Sequence, residues 1–238
     1  MRLVSIIGDS LSTFEGYNPS GYSVFYDTDM QLRNGLSSVY DTWWAKVNQA
    51  LHAFLCVNNS YSGSRVTGSG FPAASSIERI SSLSTKDYCP DLILIYIGFN
   101  DFGNGVKIKQ EKTFFKSIKR NLSYFEDAYE IMIDRVRERY PRAKVVCGTL
   151  MRTRIRNNDT WLFPEKYAGE NFEDYNDAIR QAAEKKKIYL ADIGSLNIRY
   201  ETLDGSHPTL EGHKTIAGAW IKWLSDLDLL KPSAETEV

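Results

Sequence analysis

"LILIYI", residues Leu92–Ile97, is six apolar residues without a polar break. A strand with one wet face alternates apolar and polar residues. An unbroken run fits a strand covered on both faces, as in a parallel sheet. Two further runs share this character, "LVSII" at Leu3–Ile7 and "KVVC" at Lys144–Cys147. Weaker ones are "AFLCV" at Ala53–Val57 and "KIYLA" at Lys187–Ala191. Helical patterns lie between them. "DTWWAKVNQALH" offers Asp41 or Thr42 as a cap, with Trp44, Val47 and Leu51 on one stripe. "YFEDAYEIMIDRVRERYP" carries Ala128, Ile131, Met132 and Val136 and stops at Pro141. "NFEDYNDAIRQAAEKKK" and "TLEGHKTIAGAWIKWLSDL" follow. Such alternation predicts a three-layer α/β architecture. Two long stretches, 12–40 and 152–170, show no regular pattern, and long loops of this kind tend to carry function.

The 238 residues suit one domain over 1–231, with a polar tail at 232–238. Apolar residues make up 42% and charged ones 25%, and the net charge is −1, so no basic surface points to nucleic acid. No run is long enough for a membrane span. Cys56, Cys89 and Cys147 lack metal-ligand spacing and read as buried small hydrophobes in a reducing compartment. The opening residues read as a strand rather than a secretory signal, so a cytoplasmic location is expected unless a leader was removed.

Ligands of a parallel α/β sheet bind beyond the carboxyl ends of its strands. "GDSLS" follows the first strand, "NNSYSGS" the second and "GFNDFG" the third, and "DGSHP" follows the last. A serine hydroxyl needs a base to become a nucleophile, and a histidine serves near neutral pH. A carboxylate fixes the imidazole tautomer. Ser10, His207 and Asp204 supply the three types. An acyl-transfer oxyanion needs hydrogen-bond donors, which Ser10 and Gly63 offer from the backbone and Asn100 from its side chain. Pro208 favours an extended residue before it, which keeps His207 in the loop. His213 reads as a structural histidine paired with a carbonyl or a loop, and His52 as the end of a helix. Asp9 and Asp101 read as local braces.

At these four blocks the sequence resembles the SGNH hydrolases, the GDSL family of esterases and lipases. "GDSLS", "NNSYSG" ending in Gly63, "GFND" and "DGSHP" stand in the family's order. One departure is Ser60, where the family often has glycine. The resemblance implies a three-layer α/β/α sandwich, flavodoxin-like, with about five parallel strands. It also implies a serine esterase with a catalytic triad of Ser10, Asp204 and His207, an oxyanion hole of Ser10, Gly63 and Asn100, and neither metal nor organic cofactor.

The substrate is less legible. Tyrosine-rich polar loops favour a short-acyl or O-acetyl carbohydrate ester, with a lysophospholipase or thioesterase as the alternative. Trp161 and Phe163 are candidates for a substrate wall or for a homo-oligomer contact. Arg65 stands where it could meet an anionic substrate or form a surface salt bridge. From another class, a non-catalytic flavodoxin-like module could hold a small ligand at the same edge. The missing phosphate-binding glycine motifs speak against it.

Overall fold

The computed structural model describes residues 1–110 and 119–231. The expected tail at 232–238 lies outside them. In chain order the elements are β1 (Arg2–Gly8), α1 (Thr28–Asn34), α2 (Trp43–Ala50), β2 (Ala53–Ser60), α3 (Ile77–Ser81), β3 (Leu92–Tyr96) and α4 (Phe99–Gly103). Then come α5 (Phe125–Arg139), β4 (Lys144–Gly148), β5 (Thr153–Ile155), β6 (Lys166–Tyr167) and β7 (Glu170–Asn171). The chain continues through α6 (Phe172–Lys186), β8 (Tyr189–Ala191), β9 (Tyr200–Thr202) and α7 (Leu210–Asp226).

Five strands form one sheet in the order β2-β1-β3-β4-β8. Every neighbouring pair is parallel. This is the flavodoxin-like order. β3 lies at its centre and is buried throughout, as its unbroken apolar run demands. Successive strand residues face opposite sides of a sheet. In β4, a Cβ on Gly148 would sit 2.4 Å from the Trp220 ring of α7, whereas the Cys147 thiol meets Tyr129 of α5. The helices therefore cover both faces. Trp220 stacks on Trp43 of α2 with ring centroids 5.4 Å apart, which binds the two helices of one layer together.

Several boundaries differ from the sequence expectation. β2 runs on to Ser60, because Asn58, Asn59 and Ser60 are buried with their polar groups paired. β8 starts only at Tyr189, since Lys187 is the left-handed cap of α6 with φ 52°. Thr42 caps α2 by accepting from the Ala45 N–H, while Asp41 accepts from the Ser37 and Ser38 amides. The buried stripe of α5 passes through Tyr129, Met132, Ile133 and Val136, and Ile131 is only half-buried. The stretch 12–40 contains α1, capped by Asp27 and ended by Gly35 at φ 76°. Asn34 is its one buried residue, so no apolar stripe announced it. The stretch 152–170 contains β5, paired with β9, and the β6–β7 hairpin. Of the cysteines only Cys147 is buried; Cys56 is intermediate and Cys89 exposed. No helix of the described residues is long and apolar enough to cross a membrane.

Gly148→Ala tests the packing of this layer. The added methyl meets a tryptophan already stacked against another, so overpacking should cost about 1–3 kcal/mol, read as a lower urea midpoint with an unchanged slope. A midpoint equal to that of the native protein would mean that the Trp43–Trp220 stack yields freely.

Candidate active site

The chain leaves β1 for β2 on one side, while β3 lies on the other, so the strand order reverses at β1 and opens a crevice there. Ser10 stands at that crevice. Gly8 must lack a side chain, because a Cβ would lie 2.7 Å from both Ser12 Oγ and Ser60 Oγ. Asp9 then caps the short 3-10 turn Ser10–Ser12, with Oδ1 accepting from the Leu11 N–H at 3.1 Å. Its Oδ2 is buried without a partner among the described residues, and burial pushes the carboxyl up to about 7.

Ser10 Oγ lies 3.0 Å from His207 Nε2. His207 Nδ1 lies 2.7 Å from Asp204 Oδ2. Asp204 Oδ1 accepts from the backbone N–H groups of Ser206 and His207 at 2.9 and 2.8 Å. Partial burial raises the Asp204 carboxyl, but the His207 ring and these amides outweigh it and hold the group down at about 2. An ionised carboxylate can only accept, so Nδ1 carries the proton and Nε2 is left to accept from the Ser10 hydroxyl. The loop is fixed from several sides. Thr202 Oγ1 accepts from the Gly205 N–H, Tyr200 donates to the Ser206 carbonyl, and Tyr26 donates to the Pro208 carbonyl at 2.7 Å. Phe25 stacks on the His207 ring, with centroids 3.4 Å apart and planes within 7°. Nothing in the sequence marked Phe25, which lies in the stretch that read as irregular.

Across the crevice, Gly63 turns the chain at φ 77°. Among the described residues, no protein acceptor takes the backbone N–H of Ser10 or of Gly63. Asn100 Nδ2 donates to the Ser64 carbonyl at 2.9 Å, which engages one of its two amide hydrogens. Asp101 is fully buried and accepts from the Val66 and Thr67 N–H groups and the Thr67 hydroxyl. It braces the loop after Gly63, and burial raises its carboxyl to about 6 against those bonds. Sequence reasoning passed over Arg79, a lone cation on the short helix α3. It is 1% exposed. Its guanidinium donates to the Gly8 carbonyl at 3.0 Å, and to the Asn59 carbonyl, Asn59 Oδ1 and the Pro72 carbonyl at 2.6 Å each.

Other candidates fall elsewhere. Phe163 is 4% exposed and packs on Phe99, Phe102 and Phe172, so it belongs to the core and not to a substrate wall. The apolar cluster draws it inward from its charged loop. Trp161 is half-buried and lies over Gly205, where a Cβ would come within 3.0 Å of its ring. Arg65 is exposed and makes no ion pair among the described residues, contrary to the salt bridge considered for it. His213 is fully buried and bonds neither a carbonyl nor a loop. Its Nδ1 accepts from the Trp43 N–H at 3.2 Å, at the start of α2. His52 is exposed just past the end of α2, at φ 49°.

A family model described as GDSL-like Lipase/Acylhydrolase matches residues 2–163. The chain belongs to that family. With that membership it is an enzyme acting on carboxylic ester bonds. A GDSL-like lipase from Bacteroides ovatus is 26% identical, with a TM-score of 0.70 over 95% of this chain and 99% of that one. The Multidomain esterase of Ruminococcus flavefaciens is 23% identical over 226 residues, 92% of this chain. The chain spans 23% of that relative's length. Est24, a carbohydrate acetylesterase from Sinorhizobium meliloti, has a TM-score of 0.61 at 16% identity, over 95% of this chain and 100% of that one, a likeness of fold. The family match holds Ser10, Gly63 and Asn100, whereas Asp204 and His207 lie beyond it. Folding brings these two residues to Ser10.

His213 carries a pH signature. Burial, helped by Lys46, pushes its imidazole down to about 3, so the folded protein keeps it neutral. The unfolded chain protonates it below about 6.5, so its contribution to stability declines as pH falls from there towards 3, by about 1.4 kcal/mol per unit. Asp9 and Asp101, raised in the folded state, act with the opposite sign, so a variant must isolate the histidine. His213→Gln keeps an acceptor for the Trp43 N–H and does not titrate. Between pH 7 and pH 5, the stability of the native acylhydrolase should drop relative to this variant by about 2 kcal/mol in urea unfolding. A constant difference would mean that folded His213 takes up a proton.

Proposed function

We propose that the acylhydrolase cleaves its ester through an acyl-serine intermediate, with Ser10 as nucleophile, His207 as base and Asp204 as the group that orients His207. The contacts linking Ser10 to His207 at 3.0 Å and His207 to Asp204 at 2.7 Å carry this reading. Ser10 Oγ bonds to the acyl carbon as its proton passes to His207 Nε2. The carbonyl oxygen becomes an oxyanion and accepts from the Ser10 and Gly63 N–H groups and from the second amide hydrogen of Asn100. Collapse breaks the bond to the alkoxy oxygen, which takes the proton from His207 and leaves as the alcohol. Water then attacks the acyl carbon and gives a proton to His207, and the returning proton regenerates Ser10 as the acid departs. Asp204 stays ionised throughout and stabilises the imidazolium.

The substrate we assign is a short-acyl or O-acetyl carbohydrate ester. The cavity of about 490 Å3 beside Gly63 supports this, since Ser64, Arg65, Thr67 and Ser69 line it together with the Phe71 ring. Such a wall suits hydroxyl-bearing leaving groups. Three free thiols, one of them exposed, suit a reducing compartment, which we take as cytoplasmic.

Three measurements test the mechanism. A fluorophosphonate should label the native protein at Ser10 and leave Ser10→Ala unlabelled. His207→Ala should lose on the order of 10⁶ in kcat, because nucleophile and base act as a unit. Asn100→Ala should stay folded and lose about 10²–10³ in kcat. An unlabelled native protein, or a His207 variant that still turns over, would sink the acyl-serine route. An unchanged kcat in folded Asn100→Ala would remove only that residue from the oxyanion hole.

A further inference from the structure

Three aromatic rings meet beside the oxyanion loop. Tyr61 and Phe71 lie edge to face at 5.1 Å, Tyr22 and Phe71 at 5.4 Å, and Tyr22 and Tyr61 at 5.5 Å. They come from three separate segments, yet they remain partly open to solvent, with Phe71 46% exposed. Their place is fixed relative to the reacting serine. The Tyr61 N–H donates to the Gly8 carbonyl, two residues before Ser10, and Tyr61 itself stands two residues before Gly63. The Ser62 N–H donates to the Ser23 carbonyl at 2.9 Å, which ties the Tyr22 segment to the same loop. Beneath them lies buried Arg79, 5.9 Å from the centre of the Tyr22 ring and bonded to the Pro72 carbonyl next to Phe71. The rings thus form a supported surface rather than a loose loop tip.

We propose that this cluster is a sugar subsite, which takes the pyranose ring of an O-acylated glycoside while its ester reaches Ser10. The inference rests on the carbohydrate-ester reading above and names the residues that select for it. One face of a pyranose is a patch of C–H groups rimmed by hydroxyls. It needs aromatic carbon against the patch and hydrogen-bonding groups around it. The rings supply the first. Exposed Arg65 and Ser69, on the adjoining cavity wall, supply the second. A long acyl chain would require a continuous apolar lining, and here hydroxyls and glycine backbone interrupt it. Since Arg65 makes no ion pair among the described residues, its donors can turn to the sugar hydroxyls.

The test compares an acetylated methyl xylopyranoside with ethyl acetate, which has no ring to stack. The native protein should hydrolyse both. Tyr61→Ala should raise KM for the xyloside about tenfold, as truncation of a contacting aromatic residue typically does, with kcat little changed. Ethyl acetate should lose much less in kcat/KM, and Tyr61→Phe should restore the xyloside KM. Phe54→Ala, on β2 before the strand enters the site, serves as the control and should alter neither substrate. If the native protein cleaves ethyl acetate but no acetylated sugar, the carbohydrate reading fails, and the subsite with it. If it cleaves the sugar and Tyr61→Ala leaves KM unchanged, or lowers kcat equally on both esters, the subsite alone fails. Should Tyr61→Ala not fold, saturation-transfer NMR on the native protein decides with unacetylated methyl xylopyranoside. Transfer from aromatic protons to the sugar ring supports the subsite, and its absence overturns it.

Discussion

The site depends on one buried cation. Removing a guanidinium from water costs several kcal/mol, and only near-complete hydrogen bonding offsets it. Arg79 places four bonds on acceptors from three segments: the end of β1 at Gly8, the end of β2 at Asn59 and the loop at Pro72. Among the described residues no carboxylate pairs with it directly, although nearby Asp9 favours its charged form. Burial lowers the guanidinium only to about 10, so it stays charged at neutral pH. The Gly8 carbonyl accepts from Arg79 and from the Tyr61 N–H, so the residue before the Asp9–Ser10 turn is tied to the loop that presents Gly63. Two donors of the proposed oxyanion hole thereby share one anchor. Rigid placement of such donors matters most in acyl transfer, because reorganisation during the reaction would spend the stabilisation they provide.

How much of this the sequence disclosed follows from the range of each interaction. β3 was legible because burial on both faces leaves a local trace, an unbroken apolar run. The turn at "GDSLS" and the spacing of Asp204 and His207 are also local, since the carboxylate reaches the ring and amide of a residue three positions on. Gly63 and Asn100 were singled out by motif, and they follow the ends of β2 and β3 at the crevice. Phe25 was missed because its partner lies far away in the chain, and no periodicity records a stacking contact of that kind. Phe163 was misread for the converse reason. It lies in an irregular stretch rich in charged residues, so it looked like part of an exposed loop, yet Phe99, Phe102 and Phe172 gather from elsewhere to bury it. Helix α1 was hidden because it buries almost nothing, which leaves its caps at Asp27 and Gly35 as the main local signals.

The two histidines of "DGSHPTLEGH" show how position divides one side chain into two chemistries. His207 sits in a loop, with a carboxylate on one nitrogen and a serine hydroxyl on the other. Both of its ring nitrogens thus have a polar partner. His213 is six residues later and wholly buried, and its Nδ1 serves only to receive the Trp43 N–H at the first turn of α2. Its Nε2 therefore carries the ring's one proton and finds no partner among the described residues, and a second proton could go only to Nδ1, where it would face the Trp43 N–H in a buried, unpaired cation. The same residue type bridges a carboxylate and a hydroxyl in one environment and is a helix-capping acceptor in the other.

The buried carboxylates extend this logic to the oxyanion side. Ionised Asp101 accepts from three donors on the loop after Gly63, and protonation would turn one of its acceptor positions into a donor with nothing to receive it. Burial opposes that ionisation and the loop hydrogen bonds favour it, which leaves the group near 6. Raising the pH across that value strengthens the brace behind Gly63. That brace lies across the crevice from His207 and shares no side chain with the contacts among Ser10, His207 and Asp204.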